Sequence, residues 1–146
     1  MTVADARPNF SGVWKLNPEK SVMRGAMPKQ MLVNIEHQDP TVIQQILSTD
    51  GNGAEQRQVF ICRIGTEMKN AMGGVEFRSS AQWHGGELVI ESRMNARGRD
   101  FYFKDHWSLS AGGRTLTMEH RDDDLAGQIA VLEKMPDAES KKFADF

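Results

Sequence analysis

Cysteine is almost missing from this chain. Cys62 is the only one, which excludes an intrachain disulfide and any cysteine-rich zinc site and leaves a small buried hydrophobe as its expected role. Neither sign of charge prevails: 18 Lys and Arg stand against 20 Asp and Glu, so there is no global basic field of the kind that holds nucleic acid or anionic membrane. No apolar run approaches the ~20 residues of a spanning helix. Asp5 and Arg7 interrupt the first eight residues, so the start lacks the apolar core of a secretory leader. The default compartment is the cytoplasm, and an exported protein whose signal has been removed fits the same sequence. The histidines at 37, 84, 106 and 120 show no metal-ligand spacing, and no metal site is predicted. Linkers, repeats and low-complexity segments are also missing. At 146 residues the chain therefore reads as one domain. Residues 1–9 form a flexible lead-in, 10–136 the folded domain and 137–146 a polar tail.

What is present is glycine punctuation between alternating runs. Gly73-Gly74, Gly85-Gly86 and Gly112-Gly113 each suit a two-residue type I′ hairpin turn. Such turns set registers by simple symmetry. The turn at 85–86 places Trp83 opposite Leu88, Ala81 opposite Ile90, Ser79 opposite Ser92 and Phe77 opposite Met94. The turn at 112–113 matches Leu109 with Leu116, Trp107 with Met118 and Asp105 with His120. The turn at 73–74 matches Met72 with Val75, Asn70 with Phe77 and Met68 with Ser79. A further turn at Arg97-Gly98 sets Met94 by Phe101, Ser92 by Phe103 and Leu88 by Trp107. All four registers gather the apolar residues on one face, and a slip of one residue in any of them would scramble it.

Further strands are expected at 31–37 and 42–49, around a turn at Asp39-Pro40, and at 56–63 and 127–135. The total is nine or ten strands in up-and-down order with almost no helix. A flat meander of that length would expose two edges, and closure into a barrel removes them. The fold class expected is thus all-β, a single antiparallel up-and-down barrel. Two stretches carry a family likeness: Gly12-Val13-Trp14-Lys15-Leu16 near the start and Val131-Leu132-Glu133-Lys134 near the end. The first resembles the opening strand of lipocalins and fatty-acid-binding proteins, and the second is similar to the closing strand of the latter. The resemblance implies a calycin barrel that binds a small hydrophobic ligand, with Trp14 plugging one end. The chain departs from the family in two places. Residues 17–28 are too few, and with Pro18, Gly25 and Pro28 too broken, for the family's two-helix lid. The last strand reads Gln128-Ile129-Ala130-Val131 where the family's Arg-x-Tyr carboxylate clamp would stand, and the only tyrosine is Tyr102.

The shared face is Met, Phe, Trp, Leu and Ile, interrupted by Asn70, Ser79, Ser92, Asp105 and His120. An apolar wall supplies affinity and a few polar groups fix orientation, as a small-molecule pocket requires. Asp105 and His120, directly opposed, admit three readings: a structural ion pair, a ligand anchor, or a catalytic pair without a visible nucleophile. Ser79 and Ser92 are a volume-filling hydrogen-bonded pair or a contact deep in the cavity. Trp83 and Trp107 sit near Gly-Gly turns at one or other rim, as core or as ligand stackers. His37 is expected at the barrel mouth. Asp122-Asp123-Asp124 reads as a solvated turn or a calcium loop, and Arg97-Gly98-Arg99 beside Arg93 as a small basic patch at one end.

The function read from these residues is binding of a small, largely hydrophobic ligand inside the barrel. The ligand-binding residues expected are Phe77, Ser79, Ser92, Phe103, Asp105, Trp107 and His120. Two alternatives stay open: a filled barrel acting through its surface, and a haem or isomerase-type barrel using His120 or His37. No catalytic residue is assigned, and an enzyme is less expected than a binder. No cofactor is predicted, although one axial histidine would be enough for haem. The partner expected is a small hydrophobic molecule, without nucleic acid and without a membrane span.

Overall fold

The computed structural model describes residues 7–72, 74–110, 112–122 and 127–144. Ten strands follow one another: β1 (Gly12–Leu16), β2 (Gln30–Gln38), β3 (Thr41–Thr49), β4 (Glu55–Arg63), β5 (Met68–Met72), β6 (Val75–His84), β7 (Glu87–Ala96), β8 (Arg99–Leu109), β9 (Thr115–Asp122) and β10 (Gln128–Met135). They form a single antiparallel sheet in the order β4-β3-β2-β1-β10-β9-β8-β7-β6-β5. The first strand pairs with the last, Trp14 opposite Lys134, and the sheet rolls into a nearly closed up-and-down barrel. No described helix is long and apolar enough to cross a membrane.

The registers read from the turns are those of the structure. Ser79 faces Ser92, Leu88 faces Trp107, and Asp105 faces His120. Met72 faces Val75, and Asn70 faces Phe77. The turns themselves are more varied than a uniform type I′. Arg97 and Gly98 both have positive φ, 56° and 76°, as type I′ demands, whereas at 85–86 only Gly85 does. The β8–β9 hairpin closes one pair earlier than a two-residue loop, with the Thr115 carbonyl accepting from the Ser110 N–H at 2.9 Å. The pairing survives because a longer loop centred on the same point keeps the same register. Gly73 lies outside the described residues.

Gly12 explains the opening Gly-x-Trp. Its φ of +138° suits glycine alone, and an added Cβ would meet Lys134 Cε at 3.0 Å. That twist turns Trp14 inward, fully buried, with its indole N–H donating to the Phe10 carbonyl at 2.9 Å. Trp14 does not plug the barrel by itself. Phe10 lies fully buried at the same end, stacked on His37 and Trp83 and edge-on to Trp107. Burial of one such phenylalanine contributes ~1.5–3 kcal/mol, and this ring joins both tryptophan strands. The Trp83 and Trp107 side chains thus share the closed end instead of dividing between rims. A second, smaller cluster lies outside the barrel. The 3-10 turn Asp137–Phe143 seats Phe143 against Val13, Leu32 and Leu47, so the polar tail is docked by one aromatic anchor.

The barrel has one seam. Among the described residues no ladder joins β4 to β5; the Gly65 N–H donates to the Ala81 carbonyl at 2.8 Å just beyond β4, and a side chain spans the rest of the gap. Asn70 Oδ1 accepts from the Ile61 N–H at 2.8 Å while its Nδ2 donates to the Ile61 carbonyl at 2.7 Å. The amide of one asparagine thereby replaces the peptide group of a missing strand partner.

Candidate ligand-binding site

Between the aromatic plug and the opposite mouth lies a cavity of about 690 Å³. Its floor is Trp107, which is 3% exposed and touches the plug through Phe10. Alternation along β7, β8 and β9 turns Ile90, Ser92, Phe103, Asp105, Met118 and His120 onto its wall. Of the seven residues expected there, Phe77, Ser92, Phe103, Asp105, Trp107 and His120 line the cavity. Ser79 does not. It is 1% exposed behind Ser92, and the two hydroxyl oxygens are 2.8 Å apart, so Ser79 satisfies and positions Ser92.

Asp105 and His120 meet inside the barrel as the register requires. The His120 Nδ1 to Asp105 Oδ1 distance is 2.7 Å, and the imidazole stacks on Phe103 at 5.6 Å. The bond to Asp105 raises the His120 pKa above its ordinary value; burial works in the opposite direction and loses. The pair is a short, charge-assisted contact set in apolar surroundings, and Nε2 has no protein partner among the described residues.

Sequence reasoning missed the other half of the wall. Met31, Gln44, Ile46, Gln58 and Phe60 reach the cavity from β2, β3 and β4. Phe60 stacks on Phe77 across the seam at 5.5 Å. The β2–β3 register, His37 opposite Val42, was the one signal that would have found them, because it carries the inner face onward to Cys62 and Phe60. Arg24 was also missed. The segment after β1 runs beside β10, where Val22 pairs with Ile129, and then crosses toward the mouth. There Arg24 Nη1 pairs with Asp122 Oδ2 at 2.6 Å, and its N–H donates to the Gln128 side-chain carbonyl at 3.3 Å. Only the 3-10 turn Pro18–Lys20 stands where a helical lid would be.

His37 is not at the mouth. It is 4% exposed in the plug, its Nδ1 accepting from the Phe10 N–H at 3.2 Å and its Nε2 bonded to Asp39. Both ring nitrogens are engaged, which leaves none to reach a lumen ligand. Cys62 is fully buried deep in the core, and burial pushes its thiol up to about 12, with Asp105 adding to the effect. The basic patch is partly compensated: Arg93 pairs with Glu67 at 3.2 Å, and Arg99 lies 5.1 Å over the Phe101 ring. Asp123 and Asp124 lie outside the described residues. Among the described residues, no group of three or more His, Cys, Asp or Glu side chains is placed to hold a metal ion.

No protein-family model matches the chain, and no curated protein matches it in sequence. Solved structures do match in shape. An abundant heat soluble (SAHS) protein from Ramazzottius varieornatus superposes with a TM-score of 0.63 at 14% identity, covering 86% of this chain and 94% of that one. Lipid binding protein 8 of Caenorhabditis elegans gives 0.62 at 13%, covering 86% and 95%. Fatty-acid-binding protein 1 of Echinococcus granulosus gives 0.58 at 15%, covering 87% and 98%. With the strand order and the cavity, these likenesses show the fold: an antiparallel up-and-down β-barrel of the shape found in fatty-acid-binding proteins, here with a 3-10 turn where those proteins carry a helical lid.

Proposed function

We propose that the protein binds a small, largely apolar molecule in the lumen of its barrel. The observation that carries this reading is the cavity of about 690 Å³, walled mainly by Met, Ile, Phe and Trp, with a few polar groups converging inside it. Ligand sites in proteins have this size and this mixture. A filled barrel would place side chains through that volume, whereas here Phe10, Trp83 and Trp107 pack together at one end and Phe60, Phe77 and Phe103 stand on the wall around the remaining space. Solved barrels of the same shape include proteins named for lipid and fatty-acid binding, which supports the reading at the level of fold. Trp107 and Phe103 would supply contact area, and the Asp105–His120 pair would orient a polar group.

Native mass spectrometry of freshly purified protein, with organic extraction of the same sample, tests this. The expected result is a bound mass released on denaturation, or uptake of the neutral apolar dye Nile red by the empty protein. Asp105→Asn should weaken binding of a co-purifying polar-headed ligand by about tenfold, the order of one lost charge-assisted contact, and weaken it more than it lowers the melting temperature. A clean apo mass together with no dye uptake would overturn the proposal. A variant that loses stability without losing binding would make the pair purely structural.

A further inference from the structure

The charges around the cavity are already matched, and this narrows the ligand class. Two cationic side chains stand on the wall, Arg24 and His120. Each has a carboxylate of the protein in contact: Asp122 at 2.6 Å from Arg24, and Asp105 at 2.7 Å from His120. The pairs are largely sheltered, with side-chain exposures of 33% and 16% for the first and 31% and 23% for the second. With His120 protonated, the four charges sum to zero; with it neutral, they sum to −1. Among the described residues, neither state offers the lumen an uncompensated positive charge. The remaining polar wall groups are uncharged: Ser92 and the amides of Gln44, Gln58 and Gln128. Each can both donate and accept, and they come from β3, β4, β7 and β10, on several sides of the cavity.

A carboxylate entering such a space must leave water and then finds its natural partners occupied. It also meets the fields of Asp105 and Asp122, which repel it. A hydroxyl, carbonyl or amide group loses far less on entry and can be satisfied by the glutamines and Ser92. We infer that the lumen selects uncharged molecules carrying hydroxyl, carbonyl or amide groups over carboxylates with the same apolar body. This rests on the lumen-binding reading above and gives it a ligand class. The Arg24–Asp122 pair enforces the selection at the mouth, and the Asp105–His120 pair enforces it inside.

The test is displacement of Nile red from the full chain by two probes of equal chain length, dodecan-1-ol and dodecanoate, near pH 8 and below their aggregation limits. The alcohol should displace the dye at a concentration roughly tenfold or more below that of the carboxylate, the order expected for desolvating an unpaired charge. Asp122→Asn removes the compensation of Arg24 without changing shape, and should tighten dodecanoate by about tenfold while leaving dodecanol unchanged. Arg24→Gln in the same background should abolish that gain, which ties it to the guanidinium. A carboxylate that binds as tightly as the alcohol in the unmodified protein overturns the inference and leaves lumen binding intact. So does an Asp122→Asn variant, folded by its melting curve, that keeps the original ratio. Dye that binds but yields to neither probe also overturns it. Failure of the dye to bind at all removes the lumen reading first, and the ligand class with it.

Discussion

Asp105 and His120 were placed opposite each other by turn symmetry alone, and the structure puts their side chains in contact at 2.7 Å. Their coupling has a pH consequence of definite sign. The His120 pKa is raised in the folded chain, first by the bond to Asp105. A raised histidine contributes stability that is complete below its unfolded value, the ordinary 6.5, and is lost as pH rises through the higher folded value. The melting temperature should therefore fall, as pH rises above the ordinary histidine value of 6.5, more steeply in the unmodified protein than in His120→Gln. Parallel slopes in the two proteins would show that His120 does not titrate with folding. The residues around this pair divide by origin. Phe103 and Trp107 were legible because the same hairpins carry them. Arg24 was not, because a residue in a loop without regular pairing has no register to read.

At the scale of elements, the β4–β5 seam is bridged by the Asn70 amide, with the Gly65 N–H donating to the Ala81 carbonyl at 2.8 Å just beyond β4. The turn at 73–74 set Asn70 opposite Phe77 and so placed it on the inner face, but no hairpin arithmetic relates it to Ile61. The two strands are not laddered, and their relation is fixed only when the sheet rolls up. Removing the amide leaves the Ile61 N–H and C=O without partners in a sheltered position. Asn70→Ala should cost about 1–3 kcal/mol in a denaturant titration, and amide exchange at Ile61 should accelerate selectively. Asn70→Asp can still accept from the Ile61 N–H but not donate to its carbonyl, so it should fall between. Unchanged exchange at Ile61 in Asn70→Ala would mean that the seam is held without the amide, by Phe60 on Phe77 and the Gly65–Ala81 backbone bond. The other elements were easier to read: β6 through β9 are linked by short turns, and each turn reports both of its strands.

For the whole molecule, Cys62 gives a direct reading of how the barrel opens. Its side chain is fully buried and its thiol is held protonated up to about 12, so at neutral pH it is neither reachable nor nucleophilic. Thiol labelling in native buffer should be negligible, and its rate should rise with denaturant along the same curve as the loss of far-ultraviolet signal. Rapid labelling with the sheet intact would mean that the seam opens by itself, since Cys62 sits on β4 beside it. Closure is long-range: β1 pairs with β10 in the register Val13–Met135 to Leu16–Leu132. A barrel joined this way has few partial structures that keep a buried core, and cooperative opening follows from that.

The sequence by itself determined the strand pairing from β5 to β9, the inward face of those strands and the meeting of Asp105 with His120. Antiparallel hairpins joined by short turns are local objects, so their register follows from symmetry about the turn. Only the tertiary structure decided which end is closed, that Phe10 and His37 belong to the plug, that Ser79 stands behind the wall, and that Arg24 reaches the mouth. It also decided that a space of about 690 Å³ remains inside. These facts depend on contacts across the barrel, between strands far apart in the chain. The curvature and stagger that bring such strands together are properties of the closed sheet, and no local pattern of residues carries them.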